Sequence, residues 1–403
     1  MKRSPRRFRT RRTLSGAALL TAALLAAGSS KARDAQRVQV VSVGRGSALT
    51  ASEGLDASNG YRSRVPFPKN PELAFRTRLP GGIGQAPASD DAGNLIIVHT
   101  EPRVSKLDGK GQTLWTKRLP SEASGAPVLL ADGSILIVTR EAEALLLSRT
   151  GERLERQPLP FSDPRRRTLC IATESGGALV VSGDELAELD RATRILRQTK
   201  LRGNASALLE SGADLIAVSE AGVVERAHPT GDFELVGSFG GNVSDGAAVQ
   251  AGKVLAIVDA HKWLALDLAS GQVSTLAIDP ASAFSGPAVL FAARGAALVA
   301  DHGFISERDR DGVETLRVAI GATGPSFDPS ARGLRGARLV GDPNGAVVAV
   351  QAGNDALLLS PDGSTLRFEG TTCLDPLRPT PSLNAVFFSC RSGQLFGVSG
   401  KAP

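Results

Sequence analysis

Few side chains in this sequence are equipped for chemistry: it has four histidines and three cysteines, set among many carboxylates. His261 and His302 follow closely on Asp259 and Asp301, and two imidazoles with two carboxylates form a donor set for a divalent transition metal. Such a site requires two separate connections to lean together; otherwise these four are solvated loop residues. His99 ends the apolar run Leu95-Ile-Ile-Val98. Cys170, Cys373 and Cys390 are far apart, so there is no Cys-x-x-Cys, and neither a Gly-x-Ser-x-Gly elbow nor a His-Glu-x-x-His pair is present. Gly81-Gly-Ile-Gly84 precedes no helical pattern and reads as a turn rather than a phosphate cradle.

The elements that must position these residues recur along the chain. Phe75-Arg-Thr-Arg-Leu-Pro80 is echoed by Trp115-Thr-Lys-Arg-Leu-Pro120, and Leu95–Val98 by Ile135–Val138. Aligned on the last apolar residue of the second strand, the copies fall at Val98, Val138, Val181, Val218, Val258, Ala300, Val350 and Phe388, in steps of 40, 43, 37, 40, 42, 50 and 38. A second register, ten residues on, marks the end of the third strand at Asp108, Ser148, Asp190, His228, Asp267, Asp309, Ser360 and Ser399. His228 thus stands where Asp or Ser stands elsewhere, which fits a structural hydrogen-bonding role. Glycines soon after most of these positions supply the hairpin turn. A period of about forty residues with several short apolar runs is that of a propeller blade. The expected fold is an all-β, eight-bladed β-propeller of four-stranded blades over 71–403. The eighth unit lacks an outer strand, which Phe75–Leu79 is expected to supply, and the long step of 50 reads as an insertion over 321–335.

Composition agrees: 403 residues, 42% hydrophobic, with 44 Gly, 23 Pro and 4% aromatics. The net charge of +6 misleads, because eight of the 47 Lys and Arg lie in the first 31 residues; the remaining 39 face 41 Asp and Glu, giving −2. A nucleic-acid partner is therefore not expected, and Arg165-Arg-Arg167 lacks the aromatic neighbours such a site would use. Residues 1–32 read as an export signal cut after Ala32, with Arg11-Arg12 compatible with either a twin-arginine or a general route. Residues 33–70 read as a flexible tether. No Cys follows the apolar run, so the expectation is an exported monomer, periplasmic or extracellular, with neither a lipid anchor nor a membrane span.

Asp108-Gly-Lys-Gly111-Gln-Thr-Leu-Trp115, with Ala265-Leu-Asp267-Leu-Ala-Ser-Gly271 as a weaker copy, resembles the repeat of the pyrroloquinoline-quinone-type propellers. The resemblance implies that Asp108, Gly111 and Trp115 tie neighbouring blades together. One branch of that superfamily comprises quinoprotein dehydrogenases, which would bring pyrroloquinoline quinone with calcium. Another comprises cofactor-free propellers such as the lipoprotein of the outer-membrane β-barrel assembly machine, similar in length and blade count but carrying a lipid-attachment Cys. Adjacent cysteines and a calcium-binding carboxylate and amide set are not visible. The functional expectation is a non-catalytic scaffold binding a protein partner in the cell envelope; the alternative is a degenerate quinoprotein oxidoreductase.

Propeller polarity puts the connections between second and third strands on the same face as the loops entering each inner strand. Glu101, Arg103, Arg140, Glu141 and Asp184 fall on that face, as do Asp259, His261, Asp301, His302 and Arg391, and these form the candidate partner-binding surface. Cys373, in the loop entering the eighth blade, and Cys390, opening that blade's connection, are expected to form a disulfide, leaving Cys170 as a buried thiol.

Overall fold

The apolar runs are too short for helices and too continuous for a strand with one wet face. Leu95–Val98, Ile135–Val138 and Ala178–Ser182 are buried along their whole length, as strands covered on both faces must be. The computed structural model describes residues 63–400 apart from 164, 165, 167, 174, 229, 230, 244, 245, 279–283, 292–294, 301–303, 320–337, 344–346, 353, 354 and 374. The described residues form eight antiparallel four-stranded sheets, with no helix among them.

Blade 1 runs from the inner strand Ala88–Ser89 through Leu95–Val98 and Arg103–Leu107 to the outer strand Thr113–Arg118. Blades 2 to 7 have inner strands Val128–Leu129, Thr168–Ala172, Ala205–Ser211, Ala247–Gln250, Phe284–Phe291 and Arg338–Gly341. Their outer strands are Arg153–Pro158, Ile195–Lys200, Glu234–Ser238, Val273–Ile278, Glu314–Ala319 and Thr365–Phe368. Blade 8 joins Thr380–Ser382, Ala385–Ser389 and Gln394–Gly400 to an outer strand from the other end of the propeller, Pro71–Arg78. The inner strand of blade 1 packs beside that of blade 8, so the ring is closed.

The closing strand begins four residues earlier than the repeat suggests and ends one earlier, because pairing continues from Phe75 through a bulge to Leu73 and on to Pro71 opposite Gly400. Leu79 has left the strand but still donates its N–H to the Gly393 carbonyl at 2.8 Å. The last residues assigned to the tether are packed as well. Ser63 donates its N–H to the Gly341 carbonyl at 2.7 Å, and Val65 and Phe67 are buried, Phe67 among Val340, Leu358 and Phe368 of blade 7. The insertion over 321–335 lies outside the described residues.

The core lies between blades. Val98 and Val104 of blade 1, Leu136 and Leu145 of blade 2 and Ala172 and Val180 of blade 3 belong to one buried cluster. Each fully buried Val or Leu there contributes about 1.5–3 kcal/mol. Outer strands are mostly exposed, and their pairing slips by one residue in blades 1 to 6 and in blade 8. Such bulges raise the local twist and make each edge a poorer template for stray strands.

Candidate functional site

The candidate face is held by a repeated stitch. In blades 1, 2, 4, 5 and 8 the connection after the second strand donates a backbone N–H to the loop entering the same blade: Thr100 to Gly81, Arg140 to Glu122, Glu220 to Asn204, Asp259 to Asn242 and Arg391 to Asp375, at 2.7–3.2 Å. Side chains repeat the link. Arg140 pairs with Glu122 at 3.1 Å and Arg391 with Asp375 at 3.2 Å. Arg103 pairs with Glu101 at 3.2 Å and donates to the Pro80 carbonyl at 2.6 Å. Arg391 also reaches the Gly84 carbonyl of blade 1 at 2.9 Å. Exposed pairs of this kind contribute at most about 1 kcal/mol each, so their effect is to fix the position of the loops. Glu141 is exposed beside Arg140, and half-buried Asp184 accepts the Leu201 N–H at 2.8 Å through its carbonyl.

Asp259 accepts the Asn242 N–H at 2.9 Å and an Lys262 ammonium hydrogen bond at 2.9 Å, and these donors hold its carboxyl below the ordinary carboxylate range. His261 meets the Asp259 carbonyl through Nδ1 at 2.5 Å. The other half of the sequence-predicted quartet, Asp301 and His302, lies outside the described residues. Among the described residues no three His, Cys, Asp or Glu side chains converge as a metal site. His228 bonds Asp214 of its own blade at 2.7 Å. His99 is buried, with Nδ1 3.0 Å from the Gly82 carbonyl and Nε2 2.9 Å from the Ser105 hydroxyl. Burial, with the charge of Arg103, holds its imidazole below its ordinary pKa, against the pull of nearby carbonyls and Glu101.

Of the residues singled out for blade docking, Gly111 and Trp115 contact a neighbouring blade, while the Asp108 carboxylate bonds within its own turn. The Asp108 carboxylate accepts the N–H groups of Lys110 and Gln112 at 2.9 and 2.8 Å, shaping the turn that puts Gly111 at φ +77°. The space a side chain would take at Gly111 is filled by the Phe75 ring from the outer strand of blade 8. Trp115 lies on the corresponding glycine of the next blade, where a Cβ on Gly151 would come within 3.0 Å of the indole, and its Nε1–H reaches the Arg149 carbonyl at 3.3 Å. Phe75 and Trp115 occupy one register, each just beyond the bulge of its outer strand. Leu316 repeats the contact on Gly363 at 3.2 Å.

Cys373 and Cys390 are joined, with Cα atoms 5.7 Å apart and both residues buried. The bond links the entry loop of blade 8 to its connection after the second strand. Cys170 is a buried free thiol whose pKa burial pushes up to about 12, which leaves it unreactive at neutral pH.

Two carboxylates behind the face are buried: Glu185, which sequence reasoning counted among the acids of the face without seeing its role, and Glu225, which it missed. Glu185 accepts the Ser162 N–H at 2.5 Å and its hydroxyl at 2.9 Å, and Glu225 accepts the Arg202 N–H at 2.8 Å. Both pairs are separated by 23 residues, a constant spacing that was the one available signal. The partners Glu122, Asn242 and Asp375 were missed too, since nothing in their local sequence distinguishes them from other loop residues.

The closed ring of eight four-stranded blades places the chain in the class of eight-bladed β-propellers, the fold that the pyrroloquinoline-quinone-type resemblance implied. Within that class its structure is similar to BamB from Moraxella catarrhalis, with a TM-score of 0.60 and 16% identity, covering 82% of this chain and 99% of that one. It is also similar to virginiamycin B lyase from Staphylococcus aureus, with a TM-score of 0.52 and 12% identity over 82% and 99% of the two chains. The computationally designed Ika8 protein aligns with a TM-score of 0.62 and 14% identity over 80% and 98%. No family model and no curated protein matches the sequence. At these identities the likeness concerns the fold; one neighbour is an enzyme by name and another a designed protein, so fold alone does not assign an activity.

Proposed function

We propose that this protein is an exported, non-catalytic propeller scaffold that binds a protein partner in the cell envelope through the face carrying Arg103, Arg140, Glu141, Asp259, His261 and Arg391. The observation that carries the reading is the repeated stitch: loops of five blades are held by backbone hydrogen bonds, and in blades 1, 2, 5 and 8 polar side chains add to the link before any partner arrives. A surface ordered in advance loses little entropy on binding. The same side chains are committed to one another rather than converging as a nucleophile with a base, which is the arrangement catalysis needs. The BamB-like fold and the buried disulfide favour an envelope setting.

The alternative, a quinoprotein oxidoreductase, fits the described residues poorly. The disulfide partners are 17 residues apart and buried in blade 8, not adjacent as the resemblance requires, and among the described residues no three His, Cys, Asp or Glu side chains converge. On this proposal the protein works as a monomer without cofactor. Site-specific photo-crosslinking from Glu141 in intact cells tests it: a single discrete protein adduct, lost in the Arg140→Glu/Arg391→Glu variant, is expected. Absence of any adduct, together with a stoichiometric absorbance change on adding pyrroloquinoline quinone and calcium, would overturn it.

A further inference from the structure

The ring carries a second feature on its outer edge. The outer strands of blades 8, 1 and 2 hold six cations, Arg76, Arg78, Lys117, Arg118, Arg153 and Arg156, against two acids, Glu72 and Glu155. Those of blades 4 and 5 hold no cation at all. Two of the six are engaged within the protein: Arg156 pairs with Glu143, and Arg76 donates to the Glu369 carbonyl at 3.1 Å. Arg78, Lys117, Arg118 and Arg153 are exposed and make no ion pair among the described residues. Between them stand Leu114 and Leu154, 54% and 51% exposed.

Both leucines are bulge residues. Leu107 pairs with Thr113 and Lys106 with Trp115, so Leu114 has no partner in the ladder; Leu147 and Leu146 pair with Arg153 and Glu155, so Leu154 has none. The bulge that lifts each leucine out also interrupts the edge as a template for strand addition, so side chains rather than backbone would do the recognising. Eight blades make the ring, so successive rims turn away by an eighth of a circle. A flat anionic surface meets such rims obliquely, whereas a flexible chain follows the curve.

We propose that the rims of blades 8, 1 and 2 form a second docking surface, which takes an extended acidic polypeptide segment carrying spaced aliphatic side chains. The unpaired cations select its charge and steer its approach. Leu114 and Leu154 take its apolar positions, at a spacing of one blade. The surface adjoins the face proposed above at one end, where Arg118 pairs with Arg103 in the ladder, but it uses none of the face side chains and does not depend on that reading.

A fluorescein-labelled peptide of about sixteen residues, built from repeats of two Glu, one Leu and one Ser, is the probe, read by anisotropy on the full chain against the matching Lys-for-Glu peptide. The acidic probe is expected to bind with steep salt dependence. The triple variant Arg78→Glu, Arg118→Glu, Arg153→Glu should weaken it at least about tenfold, and Leu114→Ser with Leu154→Ser by about threefold or more. Both variants should keep the wild-type melting temperature. The face variant Arg140→Glu/Arg391→Glu should bind the probe like wild type, which separates this proposal from the face reading. No binding by wild type, undiminished binding by the triple variant, or tighter association with phosphatidylglycerol vesicles than with the peptide would each overturn it.

Discussion

Blades 8 and 1 meet where the ring was open, whereas blades 5 and 6 are joined by the chain itself, and the two joints are built differently. At the seam, side chains distant in sequence reach across: the Phe75 ring covers Gly111, the Ser89 and Ser382 hydroxyls lie 2.9 Å apart, Thr380 donates to the Pro87 carbonyl at 3.2 Å, and Arg391 donates to Gly84. Between blades 5 and 6 buried side chains such as Trp263 and Phe284 share one cluster, and at the turn the contact is backbone: Gly312, at φ +85°, lies directly against the Leu276 carbonyl, with no room for a Cβ. A joint without a covalent link needs stitches that hold after the ends have found each other. A joint made by the continuing chain adds such side-chain contacts at some blades, as Trp115 does on Gly151, and at Gly312 closes on backbone.

The largest effect expected at the seam comes from shortening the N-terminal side. A chain beginning at residue 63 should unfold like the full chain. One beginning at 71 loses the burial of Val65 and Phe67, about 3–6 kcal/mol at 1.5–3 kcal/mol each. One beginning at 81 lacks the strand opposite Gln394–Gly400 and should aggregate, as light scattering will show. Equal stability of all three would mean that the ring does not depend on its closing strand. The backbone joint is tested by Gly312→Ala, expected to cost about 3 kcal/mol because a carbonyl cannot yield. Gly151→Ala should cost less, since the Trp115 ring at 3.0 Å can shift. Denaturant unfolding that ranks the two the other way would dissolve the contrast.

Removing the disulfide with Cys373→Ser/Cys390→Ala should cost about 3 kcal/mol in the chain-entropy model for so short a loop, read as a lower guanidinium midpoint. An unchanged midpoint would show that blade 8 needs no covalent help. The smallest effect is pH-dependent. His99 is held neutral in the fold, its pKa below the ordinary 6.5. Above that pH both states are neutral and its contribution is fully present. As pH falls below 6.5 the unfolded chain takes up the proton first, so stability declines until the folded imidazole also titrates. Because His99 anchors Gly82 in the loop leading from the closing strand into blade 1, His99→Gln should flatten the melting-temperature profile between about pH 6.5 and 5. A slope identical to wild type would remove His99 from the seam.

The architecture was legible because it repeats. Second strands expected to end at Val98, Val138, Val258 and Ala300 end there, and the shared Phe75 and Trp115 motif marked the strand that closes the ring. Where a segment has no second copy, legibility failed: Pro71–Ala74 joins the sheet through a bulge, and Ser63–Phe67 packs on blade 7 without any counterpart elsewhere. The charges of the face were read from residue types, but whether a loop charge is free or committed depends on a partner such as Glu122 or Asp375, brought near by the fold. The cross-blade direction of docking was also hidden, since Trp115 and Gly111 are neighbours in sequence while the ring stacks on Gly151.

The antiparallel register of the closing strand sets Pro71 opposite Gly400, so the sheets of the propeller begin and end at one point. A load pulling those two residues apart opens the hydrogen bonds between the strands one after another, as a zip does, instead of shearing them together. The same proximity makes the order of blades along the gene a matter of convention. A short linker across the two residues, with new ends cut in an outer loop of another blade, leaves every sheet intact and moves the seam elsewhere in the circle.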